Sequence, residues 1–156
     1  MLKEQAKLNT QICLTKWYLE NGSMYERCML ILCLMSIRSS SDWFEMPVSI
    51  DLVPDYLEVI NQPMDYSTVR NQLKSGHYNS MDKFASDMRL IFHNAMVYNW
   101  WYQHECHIAA IKELKAFEAY FMVASRSFHN GRFNDRTKKT DLLSAAESLL
   151  MMSFGY

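Results

Sequence analysis

At 156 residues, 49% hydrophobic and 13% aromatic, the chain can bury one compact core with helical extensions and is too apolar for wholesale disorder. Its formal net charge of -1 excludes a surface built to coat nucleic acid, which concentrates Lys and Arg, so direct nucleic-acid binding is not expected. Four glycines and three prolines favour long helices over many short strands.

Leu2, Ala6, Ile12, Cys13 and Trp17 recur at near-helical spacing and predict a helix over 2–20. Lys3, Glu4, Lys7, Lys16 and Glu20 interrupt that stretch, which a cleavable export signal would not tolerate. Asn21-Gly22 supplies residues able to end the helix in left-handed geometry, and Asn21-Gly22-Ser23 reads as a helix boundary rather than a glycosylation sequon. Ser23 with Glu26 forms a capping box, so a second helix runs from there to about Arg38. Met24, Cys28, Ile31, Leu32, Met35 and Ser36 are expected on its inner face. The apolar run Cys28 to Ile37 falls far short of the ~20 residues that span a bilayer, so no membrane span is expected. Cys13, Cys28, Cys33 and Cys106 show no paired spacing, which fits a reducing compartment.

Residues 39–64 carry no sustained period, and a loop this long in a compact domain is usually functional. Pro54 can open a short helical segment through Ile60. Asp65 caps a helix ending at Gly76. Ser80 caps another that runs to about Asn99, with Phe84, Met88, Ile91, Ala95 and Tyr98 on one face. After a short connection, Ile108, Ile111, Leu114, Phe117 or Glu118, and Phe121 predict the inner stripe of a last main helix. Residues 126–140 are polar and are expected to break it. Asp141 can cap a terminal helix containing Leu142, Leu143, Ala146, Leu149 and Leu150. Arg136, Lys138 and Lys139 read as a solvated linker, with DNA contact or nuclear import as the alternative. The order helix, long loop, helix, helix, helix closes as an all-α four-helix bundle with one long crossover and a pocket at its open end.

Several short motifs then agree. Trp43-Phe44-Glu45-Met46-Pro47-Val48, Pro54-Asp55-Tyr56, Gln62-Pro63-Met64-Asp65, Ser67-Thr68-Val69 with Leu73 and Tyr78, and Asp87 through Ala95 leading to Tyr98-Asn99 follow one another at matching intervals. On these residues the chain resembles the bromodomain family over about residues 23–125. The resemblance implies a left-handed four-helix bundle with a long loop between its first two helices. It divides the chain into an extension over 1–22, a bromodomain over 23–125, and a linker with terminal helix over 126–156.

The resemblance also implies a function: reading acetylated lysine, on a histone tail or another acetylated protein, in the nucleus, and so recruiting or belonging to a chromatin complex. Acetylation turns an ammonium into a neutral amide, so the matching pocket is apolar with one fixed donor. By resemblance Asn99 donates to the acetyl carbonyl and Tyr56 reaches the same oxygen through a water. Phe44, Val48, Val53 and Tyr98 line the walls, with Trp43 on the aromatic shelf. Unmodified lysine is rejected because its charge would be desolvated without a carboxylate, and micromolar or weaker affinity is expected. The family pattern changes at three places. Asp42-Trp43-Phe44 stands where one branch has Trp-Pro-Phe, Trp100-Trp101 follows Asn99 directly, and Glu105 occupies the gatekeeper position.

Each of these residues has a plainer reading. Asn99 can be a helix-terminal asparagine, and Phe44 and Tyr56 can be core aromatics. Asp42, Glu45, Asp51, Asp55, Glu58 and Asp65, with no Lys or Arg between Ser39 and Val69, either attract a basic segment or form solvated loop surface. His104, Cys106 and His107 lack a second ligand pair at finger-like spacing, so no metal is expected. No cofactor or catalytic motif is visible, and an enzyme is not expected. The competing functional reading is an interaction scaffold of the same fold whose degenerate pocket does not read acetyl-lysine.

Overall fold

The computed structural model describes residues 2–129 and is all-helical over them. The elements are α1 (Leu2–Asn21), α2 (Met24–Ser36), a 3-10 turn (Ser41–Trp43), α3 (Tyr56–Val59), α4 (Tyr66–Lys74), α5 (Met81–Tyr98) and α6 (Glu105–His129). α2, α4, α5 and α6 pack together as a bundle, the crossover over 37–65 joins α2 to α4, and α1 lies against α2 and α6. The basic cluster at Arg136, Lys138 and Lys139 and the helix expected from Asp141 lie outside the described residues. No helix among the described residues is long and apolar enough to cross a membrane.

Side-chain caps start α2, α4 and α5. Ser23 Oγ accepts from the Glu26 N–H while Glu26 Oε2 accepts from the Ser23 N–H, the reciprocal box that starts α2. Ser80 Oγ accepts from the Lys83 N–H at the head of α5. Gly76 follows α4 with φ 74°, a conformation that a side chain resists.

Asp65 does more than a simple cap. Its Oδ1 accepts from the Thr68 N–H at 2.9 Å and from Ser67 Oγ at 2.5 Å, and its Oδ2 accepts from Thr68 Oγ1 at 2.6 Å. Asp65→Ala removes the cap and strands two partly buried hydroxyls, so chemical denaturation is expected to show a loss of about 2 kcal/mol. A change below about 0.5 kcal/mol would mean that water replaces the carboxylate there.

Gly22 is not left-handed; among the described residues only Gly76 has a positive φ. Its N–H bonds Tyr18 O at 2.9 Å, and an added Cβ would fall 2.6 Å from that same oxygen. Close approach, rather than backbone freedom, requires glycine between α1 and α2.

The core contains Phe84, Phe92 and Phe117, all fully buried, with Phe121 stacked on Phe117 at 5.7 Å. Two expected faces need correction. On α2, Arg27 and Leu34 are buried whereas Met24 and Ser36 are only half-buried. On α6, Ile108 and Ile111 are exposed, and the buried stripe is Cys106, Ala109, Ala110, Glu113, Ala116, Phe117, Tyr120, Phe121 and Ala124. Small alanines let α6 approach its neighbours closely, and Glu113 turns inward to pair with Arg38 on the chain just past α2. α6 also continues to His129, past the polar break expected from residue 126.

Candidate functional site

The open end of the bundle holds a cavity of about 150 Å³. That is several times the roughly 30 Å³ that one water occupies, enough for a small amide with solvent beside it. The crossover supplies one wall with Trp43, Phe44, Met46, Val48, Val53 and Tyr56, and Met64 and Asp65 come from just before α4. α5 supplies Ile91, Ala95, Tyr98 and the terminal Asn99, while α6 contributes Cys106.

The crossover is fastened at both ends. Phe44 is buried, with its ring edge-on to Phe92 at 5.4 Å. Phe44 O and Glu45 O accept from the Tyr66 and Ser67 N–H groups at 2.8 and 3.0 Å, which ties the shelf to the first turn of α4. Arg70 pairs with Glu45 at 2.7 Å on the same side. At the other end, buried Asn94 of α5 donates through Nδ2 to Gln62 O at 2.8 Å. Trp43, by contrast, is half exposed, with its ring 6.3 Å from His104.

Asn99 closes α5, its N–H bonding Ala95 O at 3.0 Å and its Nδ2 bonding the same oxygen at 2.9 Å. Its φ of -94° is not left-handed, so the plain left-handed-asparagine reading does not describe it. His107 Nδ1 lies 2.7 Å from Asn99 O and must be the donor, because a carbonyl can only accept. The residue is therefore held from both directions. A primary amide has two N–H hydrogens and a carbonyl oxygen, so the Ala95 bond engages one of three functions.

Tyr56 is buried, with its ring 5.0 Å from Tyr98. Burial, followed by nearby Cys106 and Asp65, holds its phenol above the ordinary range, so it remains a neutral O–H at physiological pH. Tyr98 O–H donates to Asp55 Oδ1 at 2.6 Å, linking the end of α5 to the crossover. Burial pushes the Cys106 thiol up to about 11, so the α6 wall carries no charge.

Of the residues singled out from the sequence, Asn99, Tyr56, Tyr98, Phe44, Val48, Val53 and Trp43 line this cavity. Glu105 does not; it is exposed at the first position of α6, and its neighbour Cys106 faces inward. Met46, Met64, Asp65, Ile91, Ala95 and Cys106 also form walls and were not among the expected ones. The spacing of Ile91 and Ala95 with Tyr98 on one helical face was the available signal, whereas nothing local marked Cys106. Three of the six crossover acids have internal partners: Glu45 with Arg70, Asp55 with Tyr98 and Asp65 with its cap. Asp42, Asp51 and Glu58 are exposed. Among the described residues, His104, Cys106 and His107 are not part of any cluster of three or more side chains that could hold a metal ion.

The Bromodomain family model matches residues 28–111, more than half of the chain. The chain belongs to the bromodomain family. Over 72 residues, 46% of this chain, it is 43% identical to bromodomain adjacent to zinc finger domain protein 2B of Homo sapiens. It is 46% identical over 66 residues, 42% of the chain, to bromodomain and PHD finger-containing protein 3 of Mus musculus. A third relative, histone acetyltransferase GCN5 of Yarrowia lipolytica, is 46% identical over 61 residues, 38% of the chain. The matched stretches span only 3%, 6% and 13% of these relatives. Bromodomains generally read acetyl-lysine in chromatin proteins, and the bromodomain is a non-enzymatic module.

Proposed function

We propose that this bromodomain binds acetylated lysine through Asn99, on a histone tail or a similarly basic segment, within a nuclear chromatin complex. The observation that carries this reading is the pinned Asn99 amide at the rim of a largely apolar cavity. Its second Nδ2 hydrogen matches the one acceptor that acetylation creates, and Tyr56 offers a neutral hydroxyl for a bridging water. Val48, Val53 and Phe44 favour the uncharged methyl end and penalise an ammonium that loses its hydration. The exposed Asp42, Asp51 and Glu58, on a crossover free of Lys and Arg, favour encounter with a basic chain.

Binding of one peptide in acetylated and unmodified forms to the chain and to Asn99→Ala tests the assignment. The acetylated form is expected to bind in the micromolar range, and Asn99→Ala is expected to lose about tenfold or more, equivalent to about 1.4 kcal/mol. Equal binding of both forms, with no effect of the substitution, would leave the fold as an interaction scaffold with a degenerate pocket.

A further inference from the structure

A second cleft adjoins the first and shares Tyr98 and Asn99 with it, its other walls being Trp100, Trp101 and His104. Trp100 is 81% exposed and Trp101 54%, and Tyr102, next along the connection, is 69% exposed. Three large aromatic rings in succession carry an area of apolar surface that a short connection does not need for folding. The charge around them has one sign. No Lys or Arg occurs at residues 90–111 or 39–69, the segments that form this end of the bundle. Asp55, itself exposed, sits on the Tyr98 hydroxyl at 2.6 Å, and so places a carboxylate on the ring common to both clefts. Glu105 is exposed one residue beyond His104.

The geometry points to a second binding subsite, lined by Tyr98, Trp100 and Trp101, that takes the side chain of an arginine one or two residues from the acetyl-lysine. This deepens the acetyl-lysine reading and rests on it. Tryptophan faces attract a guanidinium through the ring quadrupole, and Arg can stack flat on indole while its edge remains free to meet the Asp55 carboxylate. An aliphatic occupant would also bury ring surface but would leave the acidic margin unused. Successive residues of an extended peptide advance by about 3.3 Å, so a neighbouring side chain can enter a cleft that shares two walls with the first.

The test uses acetyl-lysine peptides flanked by arginine or by citrulline, its neutral isostere, titrated into the full chain and into the Trp100→Ala, Trp101→Ala double variant. The chain is expected to prefer the arginine peptide by about three- to tenfold, the scale of one or two partly desolvated cation–π contacts. The double variant is expected to lose that preference, binding both peptides alike and no more tightly than the chain binds the citrulline peptide. If acetylation still governs binding but arginine and citrulline are equivalent in the chain, or if the double variant keeps the preference, the subsite is overturned and the acetyl-lysine reading stands. If removing the acetyl group leaves binding unchanged, both fall together.

Discussion

Arg38→Ala is expected to destabilise the domain by about 3–5 kcal/mol at neutral pH, the range for removing one member of a buried ion pair. Arg38 Nε donates to Glu113 Oε2 at 2.6 Å, and Glu113 is 1% exposed in the middle of α6. Burial already holds the Glu113 carboxyl above its ordinary range, even with Arg38 opposing that shift. Without Arg38 the carboxylate would face the core unpaired.

The pH dependence follows from the direction of this shift. A carboxyl whose folded pKa is raised takes up a proton more readily in the folded chain than in the unfolded one. Its stabilising contribution is complete below the unfolded value near 4.5 and is lost as pH rises through the higher folded value. Arg38→Ala raises the folded value further, so its penalty should be largest at neutral pH and shrink on acidification. Urea denaturation at several pH values reads this directly. A penalty that stays constant from neutral to acidic pH would show that the lost interaction is not with the Glu113 charge. Replacing both members, Arg38→Met with Glu113→Leu, should restore much of the stability, because no buried charge is then left alone.

Arg27→Ala is expected to detach α1 and lower stability by about 3 kcal/mol or more, as a charged donor leaves several acceptors at once. The side chain is 5% exposed and gathers carbonyls from two elements. Nε donates to Gly22 O at 2.6 Å, Nη1 to Leu19 O at 2.8 Å and to Ala124 O at 2.7 Å, and Nη2 to Glu20 O at 2.6 Å. Three of these carbonyls lie at the end of α1, where a helix leaves its last C=O groups without intrahelical donors. The fourth belongs to α6, so one guanidinium caps one helix and anchors it to another. Arg27→Lys should recover only part of the loss, because an ammonium cannot reproduce the planar fork. Hydrogen exchange should show residues 12–21 losing protection before the matched bundle does. Unchanged protection there, with an unchanged denaturation midpoint, would show that contacts other than the Arg27 bonds, such as the packing of Leu19 and Thr15, hold α1.

Signals confined to a few neighbouring residues were legible without the structure. The Ser23–Glu26 box, the Asp65 and Ser80 caps and the turn at Gly76 all act within one helical turn, so short sequence patterns contain both partners. The aromatic shelf and Tyr98-Asn99 were legible as a family pattern, and the fold then brought the two segments to one cavity. The phase of α6 was not legible. Ile108 and Ile111 look like core positions to any reading based on hydrophobicity, yet Glu113 and a row of alanines face inward because their partners lie far away in the chain.

The sequence by itself determined where most helices begin, that one long crossover separates two of them, and that the chain carries the bromodomain pattern. Tertiary structure alone decided that Arg27 and Glu113 are buried, that Cys106 rather than Glu105 faces the cavity, and that Asn94 holds the crossover down. The reason is the distance between partners. Arg38 meets Glu113 across 75 positions, Arg27 meets Ala124 across 97 and Asn94 meets Gln62 across 32. A buried polar group can be told from an exposed one only when the group that satisfies it is in place.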